Sequence, residues 1–92
     1  SSCDAHWLLA GVLIHQAFMG YASDKKATSS EAYELAKKAI ALEDRNEYAH
    51  WVMGLIDLYR GNHKKAVAEY QRAIELNPNC SLAYGSLGTA LN

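Results

Sequence analysis

The most regular stretch of this chain is residues 53–79, which read MGLIDLYRGNHKKAVAEYQRAIELNPN. Near its start Gly54 interrupts an apolar segment that otherwise favours helix, and glycine inside a helix costs about 1 kcal/mol relative to alanine. The same residue recurs 34 positions before and after it, as Gly20 and Gly88. A residue that recurs at one fixed interval indicates a repeat architecture.

The 34-residue period extends beyond glycine. Small and branched residues recur at the same offset in the second half of each unit: Ala32 and Ala66, Ala39 and Ala73, Ile40 and Ile74, Leu42 and Leu76. Two helices approach closely only where both present small side chains. We therefore expect Gly20 to face Ala32, and Gly54 to face Ala66, across a pair of helices.

Composition limits the classes of protein to which the chain can belong. Its 92 residues suffice for one domain, and half of them are apolar, which is typical of a folded chain. A net charge of −1 gives no basic surface for nucleic acid. The longest apolar run, residues 7–21, is too short to span a bilayer. No basic residues precede it, as they would in a signal peptide. We expect Cys3 and Cys80 to be reduced and the location to be cytoplasmic.

Breakers and capping residues predict five helices joined by short connections. The first predicted segment covers about residues 4–23, the second starts at one of residues 28–30 and ends near 43, and the third opens at Asp44 and runs to about 60. The fourth covers about residues 63–76, and a fifth starts near residues 79–81. Thr28, Ser29 and Ser30 are the candidate caps of the second helix, and Asp44 is the candidate cap of the third. Gly61 suits the left-handed position after a helix end.

These residues resemble the tetratricopeptide repeat family. The second unit carries small and aromatic residues at that family's signature positions: Gly54, Gly61, Ala66, Tyr70, Ala73 and Pro78. The first unit departs from the pattern, because Asp44 stands where proline is expected. The resemblance implies an all-α fold of antiparallel helix-turn-helix hairpins, stacked as a short right-handed solenoid with two full repeats and half of a third.

The same resemblance suggests how one domain, residues 1–92, is organised. Its units would be 13–46, 47–80 and an incomplete 81–92, with 1–12 extending the first helix. The chain would be a fragment of a larger protein.

In this family the first helix of each hairpin lines a concave surface that holds a peptide. The resemblance therefore implies an apolar and aromatic groove formed by Tyr48, Trp51, Val52, Leu55, Tyr59, Phe18 and Tyr21. The aromatic residues of this set could equally pack between repeats, and for Leu55 we favour the core. The positions that grip a terminal carboxylate in some members carry no cation here, so that mode of binding is not expected.

Catalytic and metal-binding motifs are absent from the sequence. Cys3 with His6, and His15 with Met19, are isolated pairs, whereas a zinc site needs three or four ligands. His50 has no partner that the sequence identifies, and Asp57 and Glu69 are interpreted as ordinary charged-face residues, as is Glu75. We expect no catalytic residue, no metal and no cofactor.

The sequence therefore favours a protein-interaction module that binds a peptide or partner domain and performs no catalysis. Self-association through uncapped repeat ends, giving a homo-oligomer, is the alternative from another class. A third hypothesis, a regulatory segment of a bacterial signalling enzyme or transcription regulator, rests on loose resemblance alone. In each case the expected partner is a protein or peptide, with neither nucleic acid nor membrane insertion involved.

Overall fold

A computed structural model describes residues 2–20, 23–79, 85, 86 and 88. The four helices assigned in it are α1 (Ser2–Met19), α2 (Lys25–Leu42), α3 (Glu47–Tyr59) and α4 (His63–Leu76). They confirm the all-α class. Tyr21 and most of the half-repeat predicted over 81–92 lie outside the described residues.

The helices form two hairpins that stack on each other. α1 packs along α2, α3 packs along α4, and α3 also contacts both helices of the first hairpin. The main core lies between the hairpins, where Ile14, Val52 and Ile56 are fully or almost fully buried. The predicted stack of helix-turn-helix hairpins is therefore confirmed.

Two helix starts differ from their predicted caps. Asp24 caps α2, because its Oδ1 accepts a hydrogen bond from the backbone N–H of Ala27 at 3.0 Å. The predicted start at Thr28–Ser30 was wrong, and the helix begins one turn earlier. Asn46 rather than Asp44 caps α3, since its side chain accepts from the backbone N–H groups of Tyr48 and Ala49. In both places the residue directly before the helix satisfies free donors.

The end of α3 agrees with the sequence. Gly61 has φ +82°, the left-handed conformation that glycine adopts without strain. Its N–H donates to the carbonyl of Leu58 at 3.1 Å, and the N–H of Asn62 donates to the carbonyl of Asp57 at 2.8 Å. This pair of bonds is a Schellman motif, and it turns the chain directly into α4.

The glycines spaced 34 residues apart do not share one role. Gly54 lies inside α3 against the ring of Tyr70, where a Cβ would come within 2.6 Å of Cδ1 and 3.0 Å of Cζ. Gly20 instead follows the end of α1 with φ +79°. The predicted neighbour of Gly54 was Ala66, whereas the three atoms nearest to a Cβ at this position all belong to Tyr70. The interpretation of Gly20 as an interior helix glycine was wrong, because α1 ends at Met19 and not at Ser23.

The first helix is shifted along its own axis from the position that the 34-residue period predicts for it. α1 and α3 run parallel, and three pairs of neighbours join them: Trp7 with Tyr48, Gly11 with Val52, and Phe18 with Tyr59. In each pair the residue numbers differ by 41, which is seven more than the period. Seven residues are almost two helical turns, so this displacement leaves the same face of α1 directed at α3. In α2 and α4 the 34-residue relation holds, since Ala32, Ala66, Ala39 and Ala73 are all fully buried.

Candidate functional site

A cavity of about 860 Å³ lies along the parallel helices α1 and α3. We call it the groove. Leu8, Val12 and Phe18 of α1 form one wall, and Trp51 and Leu55 of α3 form the other. The described residues that line it include no Asp, Glu, Lys or Arg, and the one histidine among them is His15. The groove is therefore an apolar, uncharged site.

The residues expected to bind a peptide fall into three groups in the structure. Trp51, Val52, Leu55 and Phe18 line the groove. Val52 is completely buried in the core, and Leu55 packs on that core from the groove side. Tyr48 and Tyr59 lie on α3 beside the groove, and Tyr21 is not among the described residues.

Two aromatic pairs hold α1 against α3. Trp7 stacks on Tyr48 with ring centroids 5.0 Å apart and an interplanar angle of 18°. Further along α1, the rings of Phe18 and Tyr59 pack edge to face, with centroids 4.9 Å apart and an interplanar angle of 79°. Each pair contributes about 0.5–1.5 kcal/mol beyond the area that it buries. Tyr48 and Tyr59 thus serve to fix the spacing of the two groove walls.

A hydroxyl and an indole N–H meet at the floor of the groove. Trp51 Nε1 donates to the Oγ of Ser86 at 2.9 Å. The side chain of Tyr70 is fully buried and reaches the same cavity from α4. Its hydroxyl oxygen is buried and lies beside the hydroxyl of Ser86. Burial raises the pKa of Tyr70 to about 12, although the nearby Ser86 hydroxyl partly opposes this, so the phenol stays protonated.

His50 joins three parts of the chain away from the groove. It is buried, its Nδ1 lies 2.9 Å from Glu69 Oε1 on α4, and its Nε2 lies 2.7 Å from the carbonyl oxygen of Asp44. Both ring nitrogens face acceptors, which favours the doubly protonated imidazolium. The hydrogen bond that His50 Nδ1 donates to Glu69 is the largest cause that raises the pKa of His50, and desolvation opposes it. The sequence did not reveal this contact, because Glu69 comes 19 residues later on another helix.

A second cavity of about 240 Å³ contains a buried carboxylate. Asp57 is only 4% exposed and lies there with Lys65 and Glu69. Burial is the main cause that raises the pKa of Asp57, and Glu69 raises it further, while Lys65 and Arg60 oppose the shift. The interpretation of Asp57 as an ordinary charged-face residue was therefore wrong.

Asp57→Asn should stabilise the fold at neutral pH. Because the folded-state pKa of Asp57 is raised above 3.8, the wild type loses stability as pH rises from 3.8 through that pKa. The asparagine variant does not ionise, so we expect it to gain about 1 kcal/mol at pH 7 and little below pH 3.8. Urea titrations at both pH values would measure this. Glu75→Gln, on an exposed carboxylate beside Arg72, is the control and should change little; an equal gain there would contradict the argument.

The described part of the chain offers neither a metal site nor a membrane-spanning helix. It contains no group of three or more His, Cys, Asp or Glu residues that could hold a metal ion. None of its helices combines the length and the apolar character needed to cross a bilayer.

Comparison with known proteins agrees with the geometry of the second hairpin. The family model for the tetratricopeptide repeat matches residues 47–80, which include α3, the turn at Gly61 and α4. A curated relative, the BBSome complex member BBS4 homolog of Drosophila melanogaster, is 42% identical over 45 residues. That alignment covers 49% of this chain and 9% of the relative, so the chain corresponds to a small part of that protein. Repeats of this family generally mediate interactions between proteins. Residues 47–80 are therefore the part of the chain that is similar to a tetratricopeptide repeat.

Proposed function

We propose that this chain is a protein-interaction module and that its groove binds an apolar segment of a partner protein. The observation that carries the proposal is the absence of charge among the described residues that line an 860 Å³ cavity. That volume lies within the range of cavities that hold ligands. The proposal assigns no chemical reaction to the chain.

The exposure of the groove wall supports the same proposal. Leu8, Val12 and Phe18 are each about half exposed, at 52%, 53% and 47%. A partner that covered them would remove apolar area from water, which is the main favourable term in most protein association. Aromatic side chains such as Trp51 and Phe18 are frequent anchors in interfaces.

The uncharged lining also limits the class of partner. A carboxylate or ammonium group placed in the groove would lose its hydration without gaining an opposite charge from the described lining residues. We therefore propose an uncharged segment. The matched relative is named as a member of a complex, and this supports a scaffold role within a multiprotein assembly.

Peptide selection would test the proposal. A random phage-displayed library selected against the 92-residue chain should yield peptides rich in Leu, Ile, Phe and Trp. Val12→Asp places a charge in the groove and should weaken the selected peptides at least tenfold, since burying an unpaired charge is costly. Fluorescence anisotropy with labelled peptides would measure the dissociation constants.

Leu9→Asp is the matched control. Leu9 lies on α1 with an exposure of 48%, close to the 53% of Val12, but it does not line the groove. We expect its peptide affinities to stay within twofold of the wild type. Equal losses in both variants, or selected peptides dominated by charged residues, would contradict the proposed groove.

A further inference from the structure

A histidine interrupts the apolar stripe that α1 contributes to the groove. Lining residues recur along α1 at intervals of three or four positions, which places them on one face of the helix: Leu8, Val12, His15 and Phe18. His15 is exposed and lies one turn from Val12 on one side and one turn from Phe18 on the other. A segment that binds along the stripe from Leu8 to Phe18 therefore covers the imidazole.

The groove provides no opposite charge for a protonated imidazole. The one titratable group that α3 and α4 contribute to the described lining is the phenol of Tyr70, which is neutral because burial raises its pKa to about 12. α2 also packs on α1, but it contributes none of the described lining residues. Residues 76–92, which include Ser86 of the lining, contain no Asp, Glu, Lys, Arg or His. An imidazolium covered by an apolar segment would therefore lose its hydration without gaining a counter-charge, which is costly.

On the basis of the proposed function, we propose that the protonation state of His15 regulates the groove, which binds apolar segments at neutral pH and releases them at acidic pH. Imidazole is the side chain that ordinarily changes its charge between pH 5 and 8. The neutral ring can be covered at little cost, whereas the charged ring favours contact with water. Because the bound state then favours the neutral ring, binding at an intermediate pH must release protons.

The other histidines do not account for such a dependence. His6, His50 and His63 are absent from the described lining of the groove. The contribution of His50 to stability is present below about pH 6.5 and is lost as the pH rises through its raised folded-state pKa. Titration of His50 thus stabilises the fold in the acidic range where we expect the groove to lose affinity. Unfolding caused by His50 would have the opposite pH dependence.

The affinity of an uncharged peptide at two pH values would test the proposal. The probe is the tightest phage-selected peptide without ionisable side chains, prepared with acetylated and amidated ends so that only the protein titrates. Isothermal titration calorimetry should show about three- to tenfold weaker binding at pH 5.5 than at pH 7.5, since a site that excludes an imidazolium loses at most about tenfold per pH unit below about 6.5. At pH 6.5 the binding enthalpy should vary with the ionisation enthalpy of the buffer, because protons are released.

Two glutamine variants assign the effect to one imidazole. His15→Gln keeps a polar side chain but does not titrate, so we expect the same affinity at both pH values and no proton release. His63→Gln is the matched control, because His63 is also exposed but lies at the start of α4 and does not line the groove. This variant should keep the pH dependence of the wild type.

The outcomes separate this proposal from the proposed function. If the peptide binds equally well at both pH values, or if His15→Gln keeps the decline at pH 5.5, regulation by His15 is wrong while the apolar groove stands. If no peptide binds at pH 7.5, or if Val12→Asp leaves the binding unchanged, the proposed groove fails and its regulation fails with it.

Discussion

Gly54→Ala is expected to lower the free energy of unfolding by about 1–3 kcal/mol, the usual cost of overpacking a core. For a chain of this size, that loss corresponds to a fall of roughly 5–20 °C in melting temperature. The cause is the ring of Tyr70, whose Cδ1 would lie 2.6 Å from the new methyl group. Tyr70 is completely buried, so its ring cannot move into solvent. Thermal unfolding followed by circular dichroism would measure the change.

Gly11→Ala is the matched control for this substitution. Gly11 is also inside a helix and faces the core, but its Cβ would meet Val52 Cγ2 at an ordinary 3.7 Å. Alanine favours helix over glycine by about 1 kcal/mol, so this variant should gain stability. The two alanine substitutions are therefore expected to have opposite signs. A loss of stability in both would contradict the assignment of the Gly54 effect to Tyr70.

A double-mutant cycle would connect the two partners directly. In a Tyr70→Ala background the ring is gone, and Gly54→Ala should no longer be destabilising. The coupling between residues in contact is commonly 0.5–3 kcal/mol, whereas independent sites add. Additive losses would mean that the alanine at position 54 clashes with something other than Tyr70.

His50→Ala is expected to cost about 2–3 kcal/mol near pH 6, the second large effect in this chain. The substitution removes hydrogen bonds to Glu69 and to the Asp44 carbonyl, and bonds to charged groups contribute about 1.5–3 kcal/mol. It also leaves Glu69 beside Asp57 without its imidazolium neighbour. Urea unfolding at fixed pH would measure the loss.

The stability from His50 should depend on pH in one direction. Because the folded-state pKa of His50 is raised above its ordinary value of 6.5, its contribution is fully present below about pH 6.5. It is lost as pH rises through the folded-state pKa. Glu69 is the main group that faces the ring from α4, and Arg72 of the same helix opposes the shift. The midpoint of urea unfolding should therefore fall as the pH is raised from 6 to 9.

Glu69→Gln identifies the source of this dependence. The amide keeps the size of the side chain and can still accept a hydrogen bond from Nδ1, but it carries no charge. We expect the variant to lose most of the decline in stability above pH 6.5. An unchanged pH profile would show that other groups produce the decline.

The sequence pattern predicted some features of the helices and not others. The alanines of α2 and α4 occupy equivalent buried positions because the two helices are the second helices of successive 34-residue units. The end of α3 was also predictable, since glycine at position 61 is the usual residue for a left-handed helix end. The starts of α2 and α3 differ from the prediction, because several polar residues compete as caps and the hydrogen bonds of one residue decide between them.

The candidate site was only partly predictable for a different reason. Phe18, Trp51 and Leu55 were recognisable from the family resemblance, and they do line one cavity. The roles of Tyr70 and His50 depend on which atoms meet across two helices. Residue spacing along one helix carries no information on such contacts, so neither role could be derived from the sequence.

The sequence by itself determined that this chain forms helical hairpins, because periodic alanines and glycine turns allow few other arrangements. Tertiary structure alone decided the displacement of α1 by seven residues. Apolar residues lie on several sides of α1, so its sequence pattern does not choose between positions two turns apart, and the aromatic contacts of Trp7 and Phe18 select one of them. Gly20 and Gly54 show the same division: the period places a glycine at both positions, but packing puts Gly54 inside α3 and Gly20 after the end of α1.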